Sequence, residues 1–414
     1  MRQSALFAKT QRTAPRDEMS RNAIWLARAG YVHKEMAGVY SYLPLGWRVI
    51  KKIEGIVRAA MNNLGGQEVL LPALHPQENW EKTGRWKTMT DLYKIRADGG
   101  RDLVLGPTHE EIITPLIAGQ INSYQDLPFS VYQFQTKFRQ ELRVKSGLLR
   151  GREFIMKDLY SFHRDEIDLD KFYQSVGETY RQIFQTVGIG NKTVFTLAAG
   201  GTFSPDSHEF QTLTPAGEDQ IHVCLKCRLA INDEIIAQHK ICPECGSPEK
   251  TVETGIEVGN IFKLGQRFSA PFALNYRDEK GAIQPVIMGC YGLGISRLMG
   301  AIVEVTADDK GLAWPHSVAP FRAHLINLGN EKETATAIQA DQIYGLLNRA
   351  GIEVLWDDRR TAPGVKLADA DLLGIPFRLV VSPRTAEKNV VEIKKRTADK
   401  VNLVTSQNLC AFLG

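Results

Sequence analysis

The 414-residue sequence has no apolar run long enough to span a membrane, and its opening stretch, MRQSALFAKTQRTAPRDEMS, lacks a signal-peptide core. Internal repeats and low-complexity segments are absent, and so is the GxxxxGK[ST] phosphate loop, which excludes the commonest nucleotide fold. Neither sign of charge dominates: 51 Lys and Arg against 47 Asp and Glu leave +4, so contact with nucleic acid requires local basic patches. Cysteine is sparse. Four of the six cysteines form CLKC (224–227) and CPEC (242–245), with Cys290 and Cys410 apart. That clustering argues against a disulfide framework and for a metal in a reducing compartment. Apolar residues at 43% and charged residues at 24% are ordinary, and the expectation is a soluble, cytoplasmic protein of two or three domains.

Along the chain, GWRVIKKIEGIVRAAMNNL (46–64) spaces its apolar residues as a helix, Gly65-Gly66 ends it, and QEVLLP reads as a strand stopped by Pro72. VYQFQTKFRQEL (131–142) alternates with period two and predicts a strand that returns as a hairpin after VKSGLLRG. A helix is expected over about 168–188, then the cysteine segment. PVIMGCYGLGISRLMGAIVE (285–304) reads as a buried strand, a Gly turn and an apolar helix. AWPHSVAPF (313–321) is the linker candidate. Beyond it, FRAHLINLG, a helix near 332–350, EVLWDD, a helix near 365–373, FRLVVSP and NVVEIKKR predict a compact α/β domain. The earlier part, with long antiparallel strands and flanking helices, reads as α+β.

Three stretches carry chemistry. On the strand 131–143, the odd positions Val131, Gln133, Gln135, Lys137, Arg139, Glu141 and Arg143 share a face that is nearly all polar. A solvated outer face explains this. The returning strand, however, aligns Arg152, Phe154, Met156, Asp158, Tyr160 and Phe162, a mixture that suits a cleft stacking a flat ring and pairing small charged groups. Guanidinium groups match phosphate and carboxylate oxygens in a two-pronged geometry. In GCYGLGISR (289–297), Arg297 falls in the first helical turn, where free N–H groups favour an anion; a structural Gly turn explains the same letters. In GPTHEE (106–111), Thr108 and Glu110 are placed to hold an ammonium group. The competing reading is a helix start with Thr108 as cap and Glu111 three residues later.

These motifs together resemble the bacterial-type prolyl-tRNA synthetases, a family of class II aminoacyl-tRNA synthetases, over nearly the full length. Residues 46–72 resemble the first class motif, which builds a dimer interface. FRQE (138–141) with Arg150 and Phe154 resembles the second, and Gly292-x-Gly294-x-x-Arg297 the third. GPTHEE, REFIMKDLYSFH, SHEF (207–210) and MGCYGLG are similar to segments of the proline family, and GIEVLWDDRRTAPGVKLADADLLGIP (351–376) to its anticodon-binding domain. The resemblance implies ATP with Mg²⁺, L-proline and tRNA(Pro) as substrates and a homodimer without membrane association. It implies a catalytic domain over 1–217 and 255–315 and an anticodon-binding domain over 320–414. Catalytic roles fall to Arg139 and Arg297. Arg139 bridges the α-phosphate and the substrate carboxylate, Glu141 accepts from the adenine amino group, Phe154 stacks on the ring, and Arg150 and Arg297 hold the outer phosphates. Thr108 and Glu110 grip the proline imino group, with Met156, Asp158, Tyr160, His208 and Cys290 lining the pocket.

The sequence departs from many bacterial members between SHEF and GIEVGNIF (255–262), where a large editing domain is replaced by about forty residues holding the cysteine quartet. Cys224, Cys227, Cys242 and Cys245 are expected to hold a structural zinc in an insert over 218–254, with His222 and His239 as possible substitute ligands and redox sensing as the alternative. Editing of alanyl-tRNA in cis is not expected. Candidate tRNA contacts are Arg359, Arg360 and Lys366, while Lys394, Lys395 and Arg396 read as a solvated strand edge. The rival function is a non-catalytic, synthetase-like RNA-binding or regulatory protein.

Overall fold

The computed structural model describes residues 1–15, 18–142, 144, 146–204, 206–329 and 334–413, and the chain divides into two compact units. One comprises Glu35–Tyr40 and Ile53–Ala301. The helix α1 (Pro44–Asn63), which enters this unit at Ile53, completely buries Val49, Ile50, Ile53, Val57 and Met61, the helical spacing read from the sequence. Gly65, at φ 79°, then turns the chain into the short strand β1 (Gln67–Glu68). Helix α2 (Glu110–Ala118) precedes the hairpin β2 (Phe129–Phe138) and β3 (Glu153–His163), and α3 (Glu166–Thr186) follows. The start of α3 is fixed by the Asp165 carboxylate, which accepts from the Asp168 N–H at 2.9 Å.

Five further strands come next: β4 (Thr193–Ala199), β5 (Asp206–Leu213), β6 (Asp219–Cys224), β7 (Ala230–Asn232) and β8 (Lys250–Gly265). They are followed by β9 (Ile287–Gly294), which runs directly into α4 (Ile295–Thr306). The sheet order is β5-β4-β7-β6-β8-β9-β3-β2-β1, and β5 also pairs with β8. Most neighbours are antiparallel, as the α+β reading expects. β7 beside β4 and β1 beside β2 are parallel.

Several local expectations need correction. The strand of 131–143 ends at Phe138: the Gln140 N–H goes to the Asp91 carbonyl at 2.8 Å and the Glu141 N–H to the Arg139 carbonyl, so the ladder cannot continue. Arg143 lies outside the described residues. No Gly turn separates β9 from α4, because Gly289, Gly292 and Gly294 are all buried within the strand. A Cβ on Gly292 would stand 2.4 Å from Met156 Cε and 2.7 Å from Asn260 Oδ1, so glycine here makes room for neighbouring side chains. The cysteine segment is joined to the rest of this unit. Its strands β6 and β7 are members of the main sheet, and Val194 of β4 shares a small core with Ile221, Val223 and Ala230.

The other unit comprises Met1–Lys34, Ser41–Lys52 and Ile302–Gly414. Its sheet is built from β10 (Ala323–Asn327), β11 (Val354–Asp357), β12 (Phe377–Val381), β13 (Val390–Lys395) and β14 (Val401–Thr405), in the order β11-β10-β12-β13-β14. The first three are parallel, joined through α5 (Thr334–Arg349) and α6 (Pro363–Leu373), as the α/β alternation predicts. β13 is an inner strand, so the 394–396 run is not a sheet edge; Arg396 instead makes two bonds to Asp308, at 2.6 and 2.8 Å. The expected linker at 313–321 is packed: Trp314, Val318, Ala319 and Phe321 are buried, and the Trp314 ring lies 5.3 Å from that of Tyr31.

Candidate active site

A cavity of about 330 Å³ opens over the middle of the nine-stranded sheet. Its floor follows from strand alternation. Asp158 on β3 pairs with Gly292 on β9, and Met156 with Gly294, so Met156, Asp158, Cys290 and Gly292 look to one side, joined by Asn260 of β8. Thr108 and Arg139 complete the wall with Arg85. The polar face of β2 is therefore no solvated exterior: Gln133 and Lys137 are completely buried beneath this cavity.

Charges buried in such a site must be paired, and Glu110, Glu111 and Asp158 are. Thr108 Oγ1 donates to Glu110 Oε2 at 2.6 Å, and the Arg85 guanidinium lies 3.3 Å from the same oxygen. The N-cap of α2 is His109, with no side-chain cap, so the Thr108 cap reading is corrected and its hydroxyl serves Glu110 instead. Arg85 also bonds both oxygens of Glu111, at 3.1 and 3.2 Å, while Thr83 Oγ1 donates to Glu111 at 2.9 Å. Burial nevertheless pushes the Glu111 carboxyl up to about 7. The Cys290 thiol, 3.2 Å from Glu110 Oε1, is likewise pushed well above its ordinary value by burial. On the other side of the floor, Asp158 accepts from Gln133 Nε2 at 3.0 Å and from the Lys137 ammonium. Removing one member of a buried ion pair typically costs about 3–5 kcal/mol, because the other is left uncompensated.

Arg139 follows the end of β2, with its Cζ 5.2 Å from the Phe154 ring centre and an Nη 3.4 Å from the Pro107 carbonyl. Arg150 and Arg297 are outside the cavity lining and are held by carboxylates. Arg150 donates to Glu141 at 2.9 Å and to Glu218. Arg297, in the first turn of α4, donates to Glu257 Oε2 at 3.2 Å and to the Leu149 carbonyl at 2.8 Å, which ties it to the loop bearing Arg150.

Of the residues expected in the amino-acid pocket, the structure brings Thr108, Met156, Asp158 and Cys290 together with Arg139. Glu110 and Tyr160 are fully buried just behind; the Tyr160 hydroxyl accepts the His109 N–H at 3.1 Å. His208 is not there. Strand register pairs it with Ile261 and pairs Glu209 with Asn260, so it points to the opposite face. There it stacks on Phe195 at 4.6 Å and meets the Tyr173 hydroxyl at 2.8 Å. Sequence reasoning missed Arg85, Gln133, Lys137 and His109 as parts of the site. The polarity of 133 and 137 was visible; the burial that makes it meaningful was not.

The four cysteines converge. Sγ–Sγ distances are 3.5 Å for Cys224–Cys245 and for Cys227–Cys242, and all four sulfurs lie within 4.8 Å of one another. Tetrahedral zinc thiolates, with bonds of about 2.3 Å, need sulfurs about 3.8 Å apart, so the donor set fits the metal. Both CxxC turns close alike: the Arg228 N–H bonds the Cys224 carbonyl and the Gly246 N–H the Cys242 carbonyl, with Arg228 and Gly246 both left-handed. His222 pairs with Asp233 at 2.8 Å and neither it nor His239 belongs to the cluster, so neither stands in for a cysteine. In the C-terminal unit, Lys366 is buried with its ammonium donating to the Asn327 carbonyl at 2.8 Å, which removes it from the RNA-contact candidates. Arg359 bridges Asp357 and Asp369 at 2.7 and 2.8 Å, and Arg360 is exposed.

Residues 93–306 match the tRNA synthetase class II core domain (G, H, P, S and T), and residues 322–414 match an anticodon binding domain. The sequence is 39% identical to the proline–tRNA ligase of Phenylobacterium zucineum (strain HLK1) over 423 aligned positions, covering 96% of each chain. It is 34% identical to the proline–tRNA ligase of Geobacillus sp. (strain WCH70), again over 96% of each, in an alignment of 547 positions that runs well past the 414 residues here. Its fold is similar to that of the prolyl-tRNA synthetase of Cryptosporidium parvum, solved with L-proline and AMP, with a TM-score of 0.78 at 19% identity over 95% of this chain and 74% of that one.

Proposed function

The chain belongs to the proline–tRNA ligases of the class II aminoacyl-tRNA synthetases, and from that membership we propose the ATP-dependent attachment of L-proline to tRNA(Pro) in two steps. In the first, a proline carboxylate oxygen attacks the α-phosphorus of ATP in line, forming prolyl-adenylate as the bond to pyrophosphate breaks. In the second, the terminal ribose hydroxyl of the tRNA attacks the prolyl carbonyl and AMP leaves. Neither step needs a nucleophile from the protein, and positioning with charge stabilisation is sufficient.

The observation that carries this reading is the cavity over β3 and β9. It sets the Thr108–Glu110 pair, Asp158 and Cys290 around a space for a small cationic amine, with Arg139 at its rim beside Phe154. Thr108 and Glu110 take the imino group, Met156, Cys290 and the buried Tyr160 shape the pocket, and Arg139 bridges the carboxylate and the α-phosphate. Glu141 receives the adenine amino group and Phe154 the ring. Arg150 and Arg297 turn to the outer phosphates of the Mg²⁺ complex of ATP, which replace the carboxylates now paired with them. Proline-dependent ATP–pyrophosphate exchange tests the proposal. Exchange driven by another amino acid, or none while tRNA still binds, contradicts it.

Zn²⁺ at Cys224, Cys227, Cys242 and Cys245 supplies a structural cross-link and leaves no open coordination position for catalysis. Without an editing insert, pocket size separates alanine from proline by about 1–3 kcal/mol, and mischarged Ala-tRNA(Pro) is not hydrolysed in cis. Rapid deacylation by the purified protein refutes this. The catalytic core takes residues 1–217 and 255–315, around the cysteine segment 218–254, and 320–414 reads the anticodon, with Arg359 and Arg360 as contacts. A homodimer fits the exposed Leu70, within the first class motif, and Leu74, just after it, at 76% and 53% exposure, and light scattering measures its mass.

A further inference from the structure

Two carboxylates, Asp158 in the cavity floor and Glu110 just behind its wall, are each backed by a buried cation, but the cations differ. Arg85 lines the cavity and serves Glu110 and Glu111. Lys137 does not line it: it is fully buried, with 0% exposure, on the same sheet face as Asp158, and its ammonium bonds the Asp158 carboxylate. Its role as donor is fixed by its other neighbour. Lys137 Nζ lies 2.6 Å from His109 Nδ1, and His109 Nε2 lies 3.0 Å from the Pro72 carbonyl, which can only accept. The imidazole proton is therefore on Nε2, and Nδ1 accepts from the lysine. Asp158 Oδ2 is thus held by Lys137 and by Gln133, whose own Oε1 accepts the Leu71 N–H at 3.0 Å. One carboxylate oxygen is pinned from below, and Asp158 still lines the cavity.

We propose that Lys137 is a positioning residue for amino-acid recognition, keeping Asp158 aimed so that its second oxygen meets one N–H of the substrate's secondary ammonium while the Thr108–Glu110 pair meets the other. This rests on the reading of the cavity as the proline site. It adds a basis for specificity that pocket size does not supply. Proline has two ammonium N–H groups and two acceptors await them; a primary amino acid brings a third donor that is desolvated without a partner. Because the ammonium persists from substrate to adenylate, the contact strengthens binding of both alike and belongs to KM rather than kcat. Without the Lys137 ammonium, Asp158 Oδ2 loses one of the two donors that hold it, and the carboxylate is no longer fixed toward the substrate nitrogen. Without Asp158, the lysine charge faces a cationic substrate unscreened.

The test is proline-dependent pyrophosphate exchange with KM for proline, KM for ATP and kcat measured separately on the full-length protein. Lys137→Met raises KM for proline by about 30–100-fold, part of the full loss expected of a broken buried pair, with KM for ATP and kcat within about threefold. Asp158→Asn raises it further, and adding Lys137→Met to Asp158→Asn recovers about tenfold, because the orphaned cation is gone. That last comparison decides the matter even where Lys137→Met alone does not fold. A KM for proline within threefold of the parent in Lys137→Met overturns the proposal. So does a double variant no better than Asp158→Asn, or an equal rise in KM for ATP, the mark of a merely structural role. If Thr108→Val and Asp158→Asn both leave KM for proline unchanged, the cavity reading falls and this inference with it. If they raise it and Lys137→Met does not, the inference alone falls.

Discussion

The amino-acid cavity and the four-cysteine knuckle share one unit and are held in opposite ways. Around the cavity, charges are buried in complementary pairs, Arg85 with Glu110 and Glu111 and Lys137 with Asp158, so the wall keeps its form with no substrate bound. In the knuckle, four sulfurs of one kind lie within 4.8 Å of each other, and the packed core beneath is the small cluster of Val194, Ile221, Val223 and Ala230. Four thiolates at that distance repel unless a cation stands among them. The difference teaches which part is preorganised by the fold and which is borrowed from a metal. Chemistry is assigned to the first and cross-linking to the second.

The largest effect expected from this contrast is on the cavity side. Arg139→Ala lowers kcat/KM for proline-dependent exchange by about 10³-fold, the scale of losing a donor aimed at developing charge; a loss under tenfold removes Arg139 from the chemistry. On the knuckle side, metal analysis of the purified protein finds one zinc per chain. Chelation, or Cys242→Ser, lowers the Tm by about 5–10 °C while the KM for proline of the protein that stays folded changes less than threefold. An unchanged Tm would make the knuckle as self-sufficient as the cavity and dissolve the comparison.

A smaller effect comes from Glu111. Its folded carboxyl is raised from 4.5 to about 7 by burial, so the folded state holds a proton that the unfolded chain has released. Stability is therefore lost as pH rises from about 4.5 to about 7, and Glu111→Gln flattens that slope in a series of melts. A slope unaltered by the substitution assigns it to other groups. The smallest effect is at His208, on the far face of the sheet: His208→Ala leaves KM for proline within twofold. A tenfold rise would place that face in communication with the cavity.

The legible and the illegible parts of the sequence divide along the same physical line. Elements whose signal is local were read: the apolar spacing of α1, the alternation of β2 and β3, and the α/β alternation after residue 320. Lost were features set by tertiary partners. β2 stops at Phe138 with the Gln140 N–H turned to the carbonyl of Asp91, distant in sequence; Gly292 sits in a strand because Met156 and Asn260 lie across it. The site followed the same rule. Thr108, Asp158 and Cys290 were found as motif letters, whereas Lys137 looked like one of several polar residues on an alternating face, and Arg85 lay in an unassigned polar stretch. His208, named through the resemblance, lies one residue of register away from the cavity face, and in a strand one residue exchanges the two faces. Lys366 carries a charge that sequence assigns to the surface and the fold turns inward.

The measurement that reaches the central claim most directly is a crystal structure of the protein with prolyl-adenylate or a non-hydrolysable analogue. The account predicts the pyrrolidine ring between Met156 and Cys290, its two N–H groups on the Thr108–Glu110 pair and on Asp158, and the phosphate at Arg139. Density for the ligand on the Phe195–His208 face, or a ring bound with Asp158 turned away from its nitrogen, would contradict it.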